Sequence, residues 1–333
     1  MSKRYSQKWK IASRFLLLAI IAGIVISEMI LRKQYINEYN KLVSKYEGRE
    51  LDMQVDEDPR LIYSFKPNKS GFNSQGYRDY EYPYKKDEGT FRMVVIGDSI
   101  AQGQEIELEE SFPKVLERRL NVNTNGKKYE VIVLATTGYS TVQELVLLKE
   151  EAFEYNPDLI LWSYCLNDPA HPVFHSANAE LGRYFFKPKI HLFHFLSKKI
   201  FYFIEKIKGE HCVREYHQFL HCAYWNEVVS NIKKIKKISD QWKTPVVFLI
   251  HPIFEQGRTY AAYSLAGLHY KLKDVATKQG LRVIDLLDVY KNYNSNFIKH
   301  HSEHWYDCWH PNAVGHLIAA EYIYRRLVAE NML

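Results

Sequence analysis

The stretch Phe91-Arg-Met-Val-Val-Ile-Gly-Asp-Ser99 opens an alternating pattern that continues to the C-terminus. Its four apolar residues, 93–96, run straight into a Gly-Asp-Ser turn, as a buried strand does where it ends at a sheet edge. Beyond this stretch, short apolar runs alternate with longer amphipathic segments, which is typical of a parallel sheet with crossover helices. The sequence therefore predicts an α/β fold.

Five apolar runs fit buried strands, and five amphipathic segments fit helices. The predicted strands cover residues 93–96, 131–135, 159–164, 246–250 and 283–286. The predicted helices cover residues 112–120, 142–155, 225–242, 261–279 and 313–329. Ligand sites in such sheets lie at the carboxyl ends of the strands, so the residues after each run are the candidates for chemistry.

Ser99 follows the first predicted strand, where its hydroxyl emerges at the sheet edge as that of a nucleophile does. In this interpretation Asp98 braces the turn. A Gly-Asp-Ser tripeptide is also common in simple turns, so this interpretation needs support from elsewhere. The support is the segment Asp307-Cys308-Trp309-His310, because an Asp three residues before a His can orient the imidazole as a base.

Two further turns follow the second and third predicted strands. Gly138 can bring a backbone N–H close to a carbonyl oxygen, and Asn167 can donate to the same oxygen from its carboxamide. The alternatives are that Gly138 only forms a turn and that Asn167 only caps the next segment, a role also open to Asp168. His251 and Cys165 lie at predicted strand ends and are candidate substrate contacts; the alternative for His251 is a structural hydrogen bond.

These blocks, centred on Ser, Gly, Asn and His in that order, resemble those of the SGNH family of GDSL-type hydrolases. The resemblance implies a nucleophile at Ser99, a general base at His310 and an orienting carboxylate at Asp307. It also implies an oxyanion hole formed by the Ser99 amide, Gly138 and Asn167. The implied fold is the three-layer α/β/α, flavodoxin-like fold of SGNH hydrolases, with about five parallel strands.

The resemblance covers about residues 91–330 and departs from the family pattern at two positions. Ile100 stands where the family has Leu, a minor apolar exchange, and Cys165 replaces the usual Gly two places before Asn167. Upstream, the segment from Pro67-Asn68 to Gly76-Tyr77-Arg78-Asp79 resembles the lead-in of membrane-anchored bacterial members.

The implied function is that of a serine esterase that cleaves O-acyl esters, with O-acetyl as the expected group, through an acyl-enzyme. The expected substrate is a cell-envelope glycan or lipid. One alternative is an O-acyltransferase that acts on an envelope polysaccharide with the same residues. Another is a non-catalytic envelope binding or assembly module. Either alternative keeps the same fold.

Composition excludes some partners. The chain has 333 residues, 46% of them hydrophobic, and a formal charge of +6, so it can form a large core. Five of the basic residues lie among the first 14, which contain no acid; the remaining 40 basic and 39 acidic residues give +1. Since no basic stripe remains to neutralise phosphates, nucleic acid is not expected as a partner.

The N-terminus predicts attachment to a membrane. Residues 1–14 form a basic cytoplasmic leader, and 15–31 form an apolar run of about 17 residues, the lower limit for crossing a bilayer as a helix. The leader's charge places it inside, so the catalytic part is expected in the periplasm, held at the inner membrane by a single uncleaved anchor. The alternatives are a cleaved signal peptide and a buried N-terminal helix.

The rest of the chain divides into a stalk at 32–57, an N-terminal extension at 58–90 and a hydrolase domain at 91–333. An aromatic and basic insertion, 169–224, interrupts the domain and is interpreted as a lid or acyl-group platform. Its alternatives are an ordinary pair of helices with their aromatics packed inward, or contact with lipid. The insertion favours a lipid substrate, whereas an envelope location favours a glycan.

The four cysteines fit an oxidising compartment. Cys212 and Cys222 are close enough in sequence to close a small loop, and Cys165 and Cys308 each lie beside a candidate catalytic residue. The sequence has no C-x-x-C spacing and so does not indicate a zinc site, and it predicts neither a metal nor a cofactor. The weaker alternative is a metal held by the histidine-rich segment 300–304.

Overall fold

The computed structural model describes residues 2–46, 52–122, 126–173, 179–254, 263–301 and 307–333. Its strands are β1 (Met53–Val55), β2 (Tyr63–Phe65), β3 (Thr90–Gly97), β4 (Lys128–Ala135), β5 (Leu159–Cys165), β6 (Val246–His251) and β7 (Arg282–Asp285). Its helices are α1 (Ser2–Tyr46), α2 (Ser99–Gln102), α3 (Phe112–Leu120), α4 (Thr141–Glu150), α5 (Ala179–Phe185), α6 (His191–Lys208), α7 (Tyr216–Ala223), α8 (Trp225–Trp242), α9 (Ala266–Lys278), α10 (Leu287–Tyr290), α11 (Ser295–Ile298) and α12 (Ala313–Ala329).

The core is a five-stranded parallel sheet with the strand order β4-β3-β5-β6-β7. Helices cover both sides; α3 packs against α12, and α4 packs against α8. The predicted α/β fold with five parallel strands is therefore confirmed. The flavodoxin-like order reverses direction at β3, which places the turn after this strand at the crevice where ligands bind.

The register brings three strand ends to one level. Gly97 at the end of β3 pairs with Ala135 of β4 and with Ser163 of β5. A Cβ on Gly97 would lie 2.9 Å from the Cβ atoms of both Ala101 and Ser163, so glycine lets α2 turn back tightly over the sheet. The turns after β3, β4 and β5 consequently meet at one edge.

Most of the predicted helices have the predicted bounds, and two differ. The helix predicted over 142–155 ends at Glu150 and is followed by a short 3₁₀ helix, Ala152–Tyr155. Asn156 adopts a left-handed conformation with φ 50° ahead of Pro157, and a proline cannot continue a helix. The helix predicted from 261 begins at Ala266; residues 261 and 262 lie outside the described part of the chain.

A single helix, α1, runs from Ser2 to Tyr46 across the predicted leader, anchor and much of the stalk. Its segment Ala12–Ser44 is long and apolar enough to cross a membrane, and its most apolar window is wholly unburied. A signal sequence meets the same criteria of length and composition. The insertion contributes α5, α6 and α7, and α1 packs along α5 and α6.

The N-terminal extension is fastened to the domain by a buried ion pair. Asp79 Oδ1 lies 2.6 Å from Lys114 Nζ, and both side chains are fully buried. Asp79 Oδ2 accepts a hydrogen bond from the backbone N–H of Val133 in β4. Burial raises the pKa of Asp79 to about 6, although the charge of Lys114 opposes the rise.

Removing the cation should be costly because it leaves Asp79 charged and buried. We expect Lys114→Met to lower the free energy of unfolding by about 3–5 kcal/mol at pH 7, measured by urea denaturation in detergent. Without Lys114 the pKa of the buried Asp79 carboxyl group should rise further, so the folded variant takes up this proton at a higher pH than the parent. The destabilisation should therefore shrink as the pH falls from 7 to about 6, where Asp79 of the parent is protonated too, and then level off. The double variant Asp79→Leu/Lys114→Met should recover most of the loss; equal losses in the single and double variants would contradict this interpretation.

Candidate active site

Three of the residues singled out in the sequence form one chain of hydrogen bonds. His310 Nε2 lies 2.8 Å from Ser99 Oγ, and His310 Nδ1 lies 2.6 Å from Asp307 Oδ2. Ser99 is the first residue of α2, directly after β3, whereas Asp307 and His310 precede α12. Ser99 therefore meets Asp307 and His310, which follow it by 208 and 211 positions in the sequence, at the carboxyl edge of the sheet.

Asp307 is held by backbone donors as well as by the imidazole. Its Oδ1 accepts hydrogen bonds from the N–H groups of Trp309 at 2.8 Å and His310 at 3.1 Å. Burial raises the pKa of Asp307, but the His310 hydrogen bond and these N–H groups outweigh it, so the pKa lies below its ordinary value. An ionised Asp307 keeps the imidazole proton on Nδ1, which leaves Nε2 free to accept the Ser99 hydroxyl.

Gly138 and Asn167 lie in the turns after the two strands that flank β3. Gly138 has φ +78°, which a residue with a side chain rarely adopts. Asn167 is 8% exposed, and its side chain lowers the pKa of the neighbouring Asp98 carboxyl group. A carboxamide has two N–H donors, so the Asn167 side chain can donate to a ligand oxygen.

Asp98 braces the turn that contains Ser99. Its Oδ1 accepts the N–H of Ile100 at 3.0 Å, and the Asn167 side chain lowers the pKa of its carboxyl group. Burial raises the pKa of Asp98, against the effects of the Ile100 N–H and the nearby His310. The carboxyl group thus caps the first turn of α2, which begins at Ser99.

Two supporting residues had no role assigned from the sequence. Gln102 Oε1 accepts the N–H of Thr137 at 2.7 Å and so joins α2 to the turn that contains Gly138. Arg78 donates to the carbonyl oxygens of Gly103 and Ile106, the latter at 2.6 Å, and fastens the segment after α2. Both residues bind backbone groups that are distant in the sequence, so no local motif reveals these contacts.

The candidate substrate contacts Cys165 and His251 are buried on the sheet, with 0% and 1% exposure. His251 Nε2 lies 2.8 Å from Ser163 Oγ, which is the structural hydrogen bond considered as the alternative. Burial lowers the pKa of His251 to about 3 and raises the pKa of the Cys165 thiol well above its ordinary value, so both are neutral near pH 7. Their contact with substrate stays a prediction.

The other cysteines and histidines show no metal centre in the described ranges. A disulfide joins Cys212 to Cys222, and Cys165 and Cys308 are free thiols. No group of three or more His, Cys, Asp or Glu side chains among the described residues is arranged to hold a metal ion. His300 Nδ1 lies 3.9 Å from Asp307 Oδ2, and His304 falls outside the described residues.

An apolar cavity of about 330 Å³ lies next to the turn after β5. Its near wall includes Thr141 and Asp168, which follow Gly138 by three residues and Asn167 by one. Its far wall is made by the insertion and by α8, and the apolar residues that line it include Val142, Trp162, Ala170, Phe201, Ile204 and Tyr224. A chain of CH₂ groups would find apolar surroundings there.

Comparison with known proteins gives one family and several similar structures. A sequence profile of the GDSL-like Lipase/Acylhydrolase family matches residues 95–318. No curated protein sequence gives a significant match.

Three of the similar solved structures come from esterases and acylhydrolases. The lipase/acylhydrolase from Enterococcus faecalis is 15% identical, with a TM-score of 0.45 over 72% of this chain and 96% of its own. The acetyl xylan esterase AlAXEase is 13% identical, with a TM-score of 0.42 over 71% and 100%. A catalytic mutant of an acetylxylan esterase from Geobacillus stearothermophilus is 13% identical, with a TM-score of 0.46 over 71% and 94%.

Proposed function

The chain belongs to the GDSL-like lipase/acylhydrolase family, a family of serine ester hydrolases, and from this premise we propose that it cleaves O-acyl esters with Ser99, His310 and Asp307. The observation that carries the proposal is the pair of contacts at His310, 2.8 Å to Ser99 Oγ and 2.6 Å to Asp307 Oδ2. This arrangement supports Ser99 as the nucleophile, His310 as the base and Asp307 as the carboxylate that orients the base.

The reaction follows from these positions. His310 Nε2 takes the proton as Ser99 Oγ attacks the ester carbonyl carbon, and the imidazolium is stabilised by Asp307. The N–H groups of Ser99, Gly138 and the Asn167 carboxamide hold the negative oxygen of the tetrahedral intermediate. The alcohol leaves with the proton from His310, and a water molecule activated by the same imidazole then releases the acid and restores the Ser99 hydroxyl.

For the substrate we propose an O-acyl ester of a cell-envelope glycan or lipid, with acetyl as the smallest acyl group. The location is proposed from α1: the apolar segment anchors the chain in the inner membrane, the basic leader stays in the cytoplasm and the hydrolase domain lies in the periplasm. The Cys212–Cys222 disulfide is compatible with an oxidising compartment.

The test uses the full-length protein in detergent with para-nitrophenyl acetate. We expect nitrophenol and acetate to be released in equal amounts, because water is the acyl acceptor in a hydrolase. Addition of an oligosaccharide acceptor distinguishes the alternative: acetyl groups found on the sugar instead of in solution would indicate a transferase. No reaction with acetyl or longer acyl esters would contradict the proposed function.

The cavity beside Asp168 supports a lipid ester as a second candidate substrate. Val142 lines this cavity from the exposed first turn of α4, so Val142→Trp should narrow it without disturbing the core. We expect kcat/KM for para-nitrophenyl octanoate to fall about tenfold while the acetate value changes less than about twofold. Val328→Trp, at an exposed position near the end of α12, is the control; equal losses for both esters would contradict an acyl chain in the cavity.

A further inference from the structure

We infer that the exposed apolar face of α6 lies on the lipid surface beside the anchor helix, so that the insertion attaches the domain to the membrane at a second place. The inference rests on the anchoring of α1 proposed above. The attachment of α6 goes beyond this anchoring, because a single anchor and a stalk would leave the domain free to move away from the bilayer.

One face of α6 carries large apolar side chains that no other element of the described chain covers. They recur at intervals of three and four residues, so they form one stripe along the helix. The stripe consists of Phe193, Leu196, Ile200, Phe203 and Ile207, with exposed fractions of 71%, 48%, 58%, 65% and 56%. A contiguous apolar stripe on a helix that water would otherwise contact marks an interaction surface.

The position of α6 relative to α1 points to lipid as the contact. The Glu28 carboxylate of α1 accepts hydrogen bonds from the N–H groups of His191 at 3.0 Å and Leu192 at 2.7 Å. These bonds attach the first turn of α6 to Glu28. Glu28 lies three residues before Leu31, where the apolar run of α1 ends, which is a distance of about 4.5 Å along the axis of α1. The stripe therefore starts at the depth of the bilayer surface.

Aromatic contacts keep the two helices together beyond that first turn. The Tyr35 ring lies 5.0 Å from the His191 ring and 6.4 Å from the His194 ring, and its hydroxyl donates to the carbonyl of Phe186. The groove between the helices is lined by Gln34 and Glu38 of α1 as well as by residues of α6. Because α1 occupies this side of α6, the apolar stripe faces away from α1 and is left exposed by the described residues.

Charge favours lipid over a second copy of the chain. The helix α6 carries four lysines, Lys198, Lys199, Lys206 and Lys208, and a single acid, Glu205. Glu205 accepts a hydrogen bond from Tyr224 at 3.0 Å within the same chain. Lys208 pairs with Glu227 of α8, and Lys198 and Lys199 line the groove beside α1, but α6 still carries more lysines than acids. Two copies packed stripe to stripe would bring like charge together, whereas an anionic bilayer surface would attract the helix while its apolar chains contact the stripe.

The test places a photo-reactive residue on the stripe of the full-length protein in vesicles of phosphatidylethanolamine and phosphatidylglycerol. Phe193→p-benzoylphenylalanine and Phe203→p-benzoylphenylalanine are conservative changes at exposed positions, so both variants should fold. Irradiation followed by mass spectrometry should show a lipid adduct at each. The same substitution at Tyr270 of α9, which is 74% exposed, is the matched control and should give about tenfold less.

An additional variant, Ile26→p-benzoylphenylalanine within the apolar run of α1, separates the two ways of failing. Lipid adducts at residues 26, 193 and 203 support the inference. An adduct at 26 with none at 193 and 203, or with cross-links to a second protein chain there, would overturn the inference and keep the anchor. No lipid adduct at 26 would overturn both the anchor and the attachment of α6.

Discussion

Replacing Ser99 with alanine in the full-length protein is expected to lower kcat for para-nitrophenyl acetate by about 10⁴- to 10⁶-fold. The reason is geometric: Ser99 Oγ is the atom 2.8 Å from His310 Nε2, and without it no acyl-enzyme can form. KM should change little, because the oxyanion donors and the substrate contacts remain. Initial rates over a range of ester concentrations separate the two constants.

A matched serine variant tells loss of chemistry from loss of structure. Ser239→Ala removes another buried hydroxyl, which donates to the Thr244 carbonyl at 2.7 Å near the end of α8. Its kcat should stay within about threefold of the parent. If Ser99→Ala kept more than about a tenth of the parent kcat, Ser99 would not be the nucleophile.

Asp307→Asn is expected to lower kcat by about 10³- to 10⁴-fold with the fold intact. The N–H groups of Trp309 and His310 both donate to Oδ1, so the amide oxygen of Asn should take this place and its NH₂ group should face His310 Nδ1. The imidazole must then accept at Nδ1 and carry its proton on Nε2. A protonated Nε2 cannot accept the Ser99 proton.

The chain offers a second buried Asp–His pair as the control for this experiment. His269 Nδ1 lies 2.8 Å from Asp285 Oδ1. Asp285 ends the edge strand β7, which is separated from β3 by β5 and β6. Asp285→Asn should therefore leave kcat within about threefold of the parent, even if it lowers stability. Similar losses of kcat in both variants would mean that Asp307 acts through stability and not through the tautomer of His310.

The sheet and its principal helices could be predicted because their signals are local. The four apolar residues before Gly97 read as a buried strand, and the amphipathic periods of α3, α8 and α12 gave their observed bounds. The split of α4 from the 3₁₀ helix was missed, since Asn156 and Pro157 follow an otherwise continuous helical pattern. The local amphipathic pattern alone did not determine where α4 ends.

The site could be predicted only as a set of separate motifs. Ser99, Gly138, Asn167, Asp307 and His310 were named from strand-end positions and a family resemblance, and the structure brings Ser99, Asp307 and His310 together. The contacts that support them are tertiary and have no local sequence pattern: the Gln102 bond to Thr137 and the bonds of Arg78 to backbone carbonyls. The attachment of α6 to Glu28 was equally invisible, because it joins segments 163 residues apart.

The most direct measurement is to map covalent labelling by a fluorophosphonate, which reacts with activated serine hydroxyls. After the full-length protein is treated and digested, mass spectrometry should find one phosphonylated residue, Ser99, and esterase activity should fall in proportion to labelling. The adduct should be absent in Ser99→Ala and form far more slowly in Asp307→Asn. An active enzyme that stays unlabelled at Ser99, or that loses its activity through an adduct on another residue, would contradict the account.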